Sequence, residues 1–109
     1  MDLKNDVRLN YKKEKGITVI EFIGELDNHT AAKSKKTLDL IIKETETINY
    51  IFDFRRLEFM DSSGIGMLLG SYKVIRSNGG NIFVRNISSH IDKVFKVSGL
   101  YQVLTKIDY

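Results

Sequence analysis

The stretch Ile48-Asn49-Tyr50-Ile51-Phe52-Asp53-Phe54, followed by Arg55 to Asp61 and then by Ser62-Ser63-Gly64-Ile65-Gly66-Met67-Leu68-Leu69, decides the fold. Its first part is rich in β-branched and aromatic residues and nearly unbroken in apolar character, which suits a central strand buried on both faces. Asp53 is the exception, and the sequence offers no place for it. Further on, Ile65, Leu68, Leu69, Tyr72 and Ile75 fall on one stripe at helical spacing. Gly79-Gly80 then supplies the left-handed cap that stops a helix. A buried strand leading into an amphipathic helix is the repeating unit of an α/β sheet.

Upstream, Val7, Leu9 and Tyr11 alternate with polar residues as in a half-buried strand. Glu14-Lys15-Gly16 makes a turn, and Ile17 to Ile23 completes an opening hairpin. Gly24 is expected to end the second strand, leaving Glu25-Leu26-Asp27-Asn28 as a loop. Ala31, Leu38, Ile41 and Ile42 share a helical face, with Asn28 or Thr30 as its cap. Downstream, Ile82 to Arg85 is a short strand. Ser89 with Asp92 resembles a capping box ahead of Ile91, Val94, Phe95 and Ser98. Gly99 closes that helix, and Val103 to Ile107 forms a last strand. The order β-β-α-β-α-β-α-β predicts an α/β fold: a small mixed β-sheet with helices packed beside it, its parallel pairs joined by right-handed crossovers.

The 109 residues suffice for one domain, 1–109, and one core. An apolar fraction of 42% and a charged fraction of 28% are those of an ordinary globular protein. No apolar run approaches the roughly 18 residues of a spanning helix, and Met1 to Asn10 carry no apolar segment of a signal peptide. A cytoplasmic protein with no membrane partner is therefore expected. Absence of cysteine removes disulfides and thiolate chemistry. The net charge of +3 allows an acidic partner. However, Lys12, Lys13 and Lys15 lie near a turn and Lys33, Lys35 and Lys36 on a helix, a spread that suits a solvated surface better than a nucleic-acid footprint.

The loop Phe59-Met60-Asp61-Ser62-Ser63-Gly64-Ile65-Gly66 joins the central strand to the second helix, at the sheet end where functional loops collect. Taken alone, Asp-Ser-Ser-Gly is first a helix cap, because Asp and Ser oxygens accept orphan amide hydrogens. Enzymatic patterns do not fit it. Gly64, Gly66 and Gly70 give G-x-G-x-x-x-G rather than a dinucleotide fingerprint, and Lys73 lies too far into the helix for a phosphate loop. Neither Ser62 nor Ser63 sits in a nucleophile elbow. His29 and His90 stand at helix starts, where capping or exposure accounts for them, and no pair has metal-ligand spacing. Neither an enzyme, a metal site nor a cofactor is expected. Gly66 and Gly70 share a helical face away from the apolar stripe. Each costs about 1 kcal/mol relative to alanine, and either close internal packing or a smooth docking surface beside Ser62 would explain them.

Asp61-Ser62-Ser63-Gly64-Ile65-Gly66 resembles the signature loop of STAS-domain anti-sigma factor antagonists. Gly24-Glu25-Leu26-Asp27, Gly79-Gly80, and Val94-Phe95 with Ser98-Gly99-Leu100 agree with that family in order and spacing. Gly24 to Ala31 and Leu69-Gly70-Ser71-Tyr72-Lys73 resemble most the sporulation branch, antagonists of the anti-sigma F factor. Arg55-Arg56 and Asn28 depart from it, the latter standing where histidine is usual. The resemblance implies a partner switch. An anti-sigma factor serine kinase phosphorylates Ser62, a PP2C-type phosphatase reverses this, and only the unphosphorylated form captures the anti-sigma factor and frees the sigma factor. It implies a partner-binding surface of Asp27, Asp61, Ser62, Ser63, Gly64 and Gly66. A STAS interaction module of another pathway, such as stress-response signalling, is the alternative. Ser62 should be exposed at the helix start, and Ser63, nearer the helix body, should cap it.

Overall fold

The computed structural model describes residues 8–108; Val7, assigned above to the opening strand, lies outside them. Strands β1 (Arg8–Glu14) and β2 (Ile17–Leu26) are followed by helix α1 (Ala31–Thr45), β3 (Asn49–Met60), α2 (Ser62–Ser77), β4 (Asn81–Arg85), α3 (Ser89–Ser98), a 3-10 turn (Leu100–Gln102) and β5 (Thr105–Lys106). One five-stranded sheet has the order β1-β2-β3-β4-β5. Among the described residues β1 and β2 pair antiparallel, and the β2–β3, β3–β4 and β4–β5 pairs are parallel. The β3 strand is central, as its apolar composition predicts. Successive β-α-β units advance across the sheet in one direction, which places the connecting helices on one face.

Alternation along the strands shows that face. Ile20 and Phe22, Tyr50, Phe52 and Phe54, and Ile82 and Val84 are buried beneath the helices. Phe22 stacks on Phe54 at 5.0 Å, and Phe54 meets Phe95 of α3 edge-on at 5.6 Å. Such aromatic pairs add about 0.5–1.5 kcal/mol beyond the area they bury.

Two strands run further than expected, for identifiable reasons. Gly24, at φ +105°, does not end β2; it takes up a register shift, and the strand continues to Leu26. Beyond Asp53, β3 has lost β4, whose last pair with it is Asp53 with Arg85. From there β3 pairs with β2 alone. Exposed Arg55, Arg56, Glu58 and Phe59 therefore alternate irregularly with buried Leu57 and Met60, and the apolar run breaks while the strand does not. At the other end, Val103–Ile107 shortens to Thr105–Lys106 because the 3-10 turn takes up the residues before it.

Candidate functional site

Leu26, the last residue of β2, pairs with Met60, the last of β3, and the Asp61 amide donates to the Leu26 carbonyl at 3.2 Å. The segments beginning at Asp27 and Asp61 thus leave the same carboxyl edge of the sheet, side by side. Asp27 is committed to its own turn. Its Oδ1 accepts from the His29 amide at 2.9 Å and the Thr30 amide at 3.2 Å, while its own amide donates to Thr30 Oγ1 at 3.0 Å. Thr30 occupies the cap position of α1, as expected, but makes no side-chain capping bond there; the carboxylate of Asp27 satisfies its amide instead.

Asp61 is the N-cap of α2. Its backbone is extended (φ −118°, ψ −168°), which brings Oδ1 within 2.8 Å of the Ser63 amide. This corrects the expectation that Ser63 caps: Ser63 lies inside the first turn, and its amide is the orphan donor that needs a cap. Ser62 is the first helical residue and is exposed, and no hydrogen bond among the described residues engages its hydroxyl. The local sequence therefore divides the work, a carboxylate for the helix and a hydroxyl for solvent.

Gly64 and Gly66 diverge. Gly64 is buried, and a Cβ on it would lie 2.8 Å from Met60 Cγ and 3.0 Å from the Leu26 side chain. It seats the helix start on the ends of β2 and β3 and so faces inward, not toward a partner. Gly66 is exposed, with nothing within 4 Å of an added Cβ. Gly70 is covered by the stem of Lys35 from α1, whose Cε would stand 3.2 Å from a Cβ and whose Nζ is held by Asp39 at 2.8 Å. The smooth surface considered above is thus confined to Gly66.

One wall of the site was not legible in the loop. His90, Lys93, Val94 and Val97 recur at i, i+3, i+4 and i+7 along α3, while Ile91 and Phe95 point into the core. With Ser62 and Ile65 they line a groove of about 410 Å³ between α2 and α3. The His90 ring stacks on Phe59 at 5.5 Å and 19°, a role beyond simple exposure. The signal was present in the spacing, but the core-facing set of the same helix masked it.

Three contacts fix α3 in place. Ser88, not Ser89, is its cap, accepting from the Ile91 amide at 3.3 Å. Asp53, the unexplained charge in the central strand, is 8% exposed. Its carboxylate accepts from the Arg55 amide at 2.9 Å, Arg85 Nε at 3.0 Å and Asn86 Nδ2 at 3.0 Å. Burial pushes its pKa up, but the bonds from Arg55, Asn86 and Arg85 outweigh burial and hold it below the ordinary value. Asn86 is left-handed at φ +58°, so Asp53 secures the turn that leads from β4 toward α3. At the far side, Asp92 accepts from the Tyr101 hydroxyl at 2.6 Å and pairs with Lys96 at 3.0 Å and Lys106 at 3.5 Å. The Tyr101 bond first, then Lys96, lowers the Asp92 pKa to about 2. Among the described residues no cluster of acidic residues or histidines could hold a metal ion, and no helix is long and apolar enough to cross a membrane.

The STAS domain family matches residues 8–108. The chain belongs to this family. The STAS domain is 28% identical over 103 residues to an anti-sigma F factor antagonist of Paenibacillus polymyxa, covering 94% of this chain and 88% of the relative. A second anti-sigma F factor antagonist, from Lysinibacillus sphaericus, is 34% identical over 82 residues, covering 75% of this chain and 70% of the relative. The structure superposes on that of the anti-sigma factor antagonist SpoIIAA in its unphosphorylated form with a TM-score of 0.76 and 30% identity, covering 92% of this chain and 88% of the other. On the phosphorylated form of Bacillus SpoIIAA the TM-score is 0.69, again at 30% identity, covering 92% and 91%. The STAS assignment agrees with the resemblance carried by the Asp61–Gly66 loop and the three further segments in order and spacing with it.

Proposed function

We propose that this STAS domain is an anti-sigma factor antagonist, a non-enzymatic cytoplasmic switch whose unphosphorylated form binds an anti-sigma factor serine kinase and releases the sigma factor. The observation that carries the reading is Ser62, exposed on the first turn of α2 while Asp61 alone caps the helix. That relatives 28% and 34% identical are anti-sigma F factor antagonists supports it. Asp27, Asp61, Ser62, Ser63 and Gly66 stand on or beside the edge offered to the kinase, with Gly64 acting beneath it. No sequence feature calls for nucleic acid or a cofactor.

The chemistry is a transfer between macromolecules. The Ser62 hydroxyl takes the γ-phosphoryl group of ATP in the kinase active site, releasing ADP and the hydroxyl proton; a PP2C-type phosphatase returns serine and inorganic phosphate. The phosphate adds about −1.5 to −2 charges. At a helix N-terminus an anion is tolerated by free amides and the macrodipole, so the modified domain stays folded. The loss falls on the complex, where the new charge repels Asp61 and must be desolvated, at a cost of roughly 3–5 kcal/mol. At about 1.4 kcal/mol per decade, affinity falls by two to three and a half decades.

Titration calorimetry against the host's anti-sigma kinase tests this. Ser62→Ala should bind like the wild type and resist phosphorylation, whereas Ser62→Asp should keep its thermal midpoint and lose most of its affinity. Equal affinity of Ser62→Asp and wild type would refute the switch.

A further inference from the structure

We infer that a phosphate on Ser62 is held by two side chains of α3, the Lys93 ammonium and a ring N–H of His90, so that the phosphorylated chain supplies its own counter-charge. The inference rests on the function proposed above and adds where the transferred group comes to lie. It starts from what the first turn of α2 has left to offer an anion. The Ser63 amide donates to Asp61 Oδ1 at 2.8 Å, and the amides of Gly64 and Ile65 donate to the Asp61 carbonyl at 3.0 and 3.4 Å. On that side the Ser62 amide and the helix dipole remain, and the Asp61 carboxylate opposes a second negative charge. The stronger partners stand across the groove.

Ser62, His90 and Lys93 border the same groove. His90 and Lys93 are three residues apart on α3 and so share a face. Lys93 makes no ion pair among the described residues, whereas Lys96, on another face of the helix, is held by Asp92 at 3.0 Å. The Lys93 ammonium, on a flexible four-carbon stem, is therefore available to an anion. His90 is fixed differently. Phe59 stacks on the face of its ring, which leaves the edge, where both nitrogens lie, open to donate. Either neutral tautomer carries one N–H, so the contact needs no proton uptake by His90.

The other charges near the groove do not compete for these two donors. Asp61 is engaged by the Ser63 amide, Asp92 by Tyr101, Lys96 and Lys106, and Glu58 of β3 is exposed and does not line the groove. A phosphate placed opposite cations gains short, charge-assisted hydrogen bonds. Since α3 is pinned by the Ser88 cap and by Asp53, the donors are already in place when the phosphate arrives.

The test titrates the full chain carrying phosphoserine at position 62, introduced during translation, and follows the phosphate by phosphorus NMR. A phosphoserine ordinarily takes up its next proton near about pH 6. Cations favour the dianion, so the midpoint in the folded chain should lie about half a unit or more below that of the same chain in urea. By linkage the pairing stabilises the folded chain above the urea midpoint and is lost as pH falls through the folded one. Variants at exposed positions separate α3 from the helix dipole. Lys93→Gln combined with His90→Phe, which keeps a ring against Phe59 without an N–H, should raise the folded midpoint toward the urea value. Lys93→Arg should hold it down, and Lys96→Gln should leave it as in the wild type. Should the double variant unfold, Lys93→Gln alone carries the same expectation. A folded midpoint that the α3 variants do not move, or that Lys96→Gln raises as much, overturns the inference and leaves the proposed function standing, because the phosphate is installed without the kinase. Failure of the host's kinase to modify Ser62 removes the proposed function, on which the inference rests.

Discussion

Replacing Asp61 by alanine removes the hydrogen bond from the Ser63 amide at 2.8 Å and the negative charge at the positive end of α2. Loss of an N-cap acceptor costs about 1 kcal/mol, within a range of roughly 0.5–2. Loss of a charge at a helix N-terminus adds about 0.3–1 kcal/mol. Asp61→Ala should therefore destabilise the domain by about 1–2 kcal/mol, the sum of those two effects. For a domain near this size each kilocalorie moves the melting midpoint by about 4–8 °C, so a fall of about 5–15 °C is expected. Asp61→Asn separates the contributions, since the amide oxygen still accepts and only the charge is lost; its cost should stay near about 0.3–1 kcal/mol. Ser63→Ala, which deletes a hydroxyl that caps nothing, should stay within about 0.5 kcal/mol of wild type. Urea unfolding followed by circular dichroism at low salt measures all three. A Ser63→Ala loss equal to or above that of Asp61→Ala would refute the assignment of the cap.

The glycines of α2 should respond oppositely. Gly64→Ala forces a Cβ to within 2.8 Å of Met60 Cγ and should cost about 1–3 kcal/mol as overpacking, whereas Gly66→Ala meets nothing and should gain up to about 1 kcal/mol from helix propensity; unfolding midpoints of the two variants decide it. Acid should loosen α3. The Asp92 pKa is lowered from 3.8 to about 2, so its stabilisation is present above about pH 4 and is lost as pH falls toward 2. Asp92→Asn should flatten that part of the stability–pH curve, and an unchanged acid limb in the variant would show that Asp92 does not contribute.

Much of this was legible because the apolar pattern and the glycines say the same thing at several levels. The buried run from Tyr50 to Phe54 placed the central strand, and Gly79 with φ +83° ended α2 where the sequence put its stop. Strand ends were less legible. A glycine at positive φ can bulge a strand as readily as end one, as Gly24 does, and a strand that loses one neighbour loses its apolar run without ending. The caps slipped by one or two residues because Asp61, Ser62 and Ser63, or Ser88 and Ser89, are all competent acceptors, and only backbone geometry selects among them. Asp53 could not be placed because its partners, Arg85 and Asn86, are remote in sequence and become neighbours only through the pairing of β3 with β4. The α3 wall of the groove is obscured for a simpler reason: Val94 belongs to the core-facing periodicity and also lines the groove, while its neighbours there, His90 and Lys93, are polar.

The central claim is that Ser62 is the phosphoacceptor and that the switch acts through it. Phosphopeptide mass spectrometry of the intact chain after incubation with the host's anti-sigma kinase and ATP tests this most directly. One phosphate localised to Ser62, absent from Ser62→Ala, is the expected result. Phosphate on Ser63, or at any other position with Ser62 unmodified, would contradict the account.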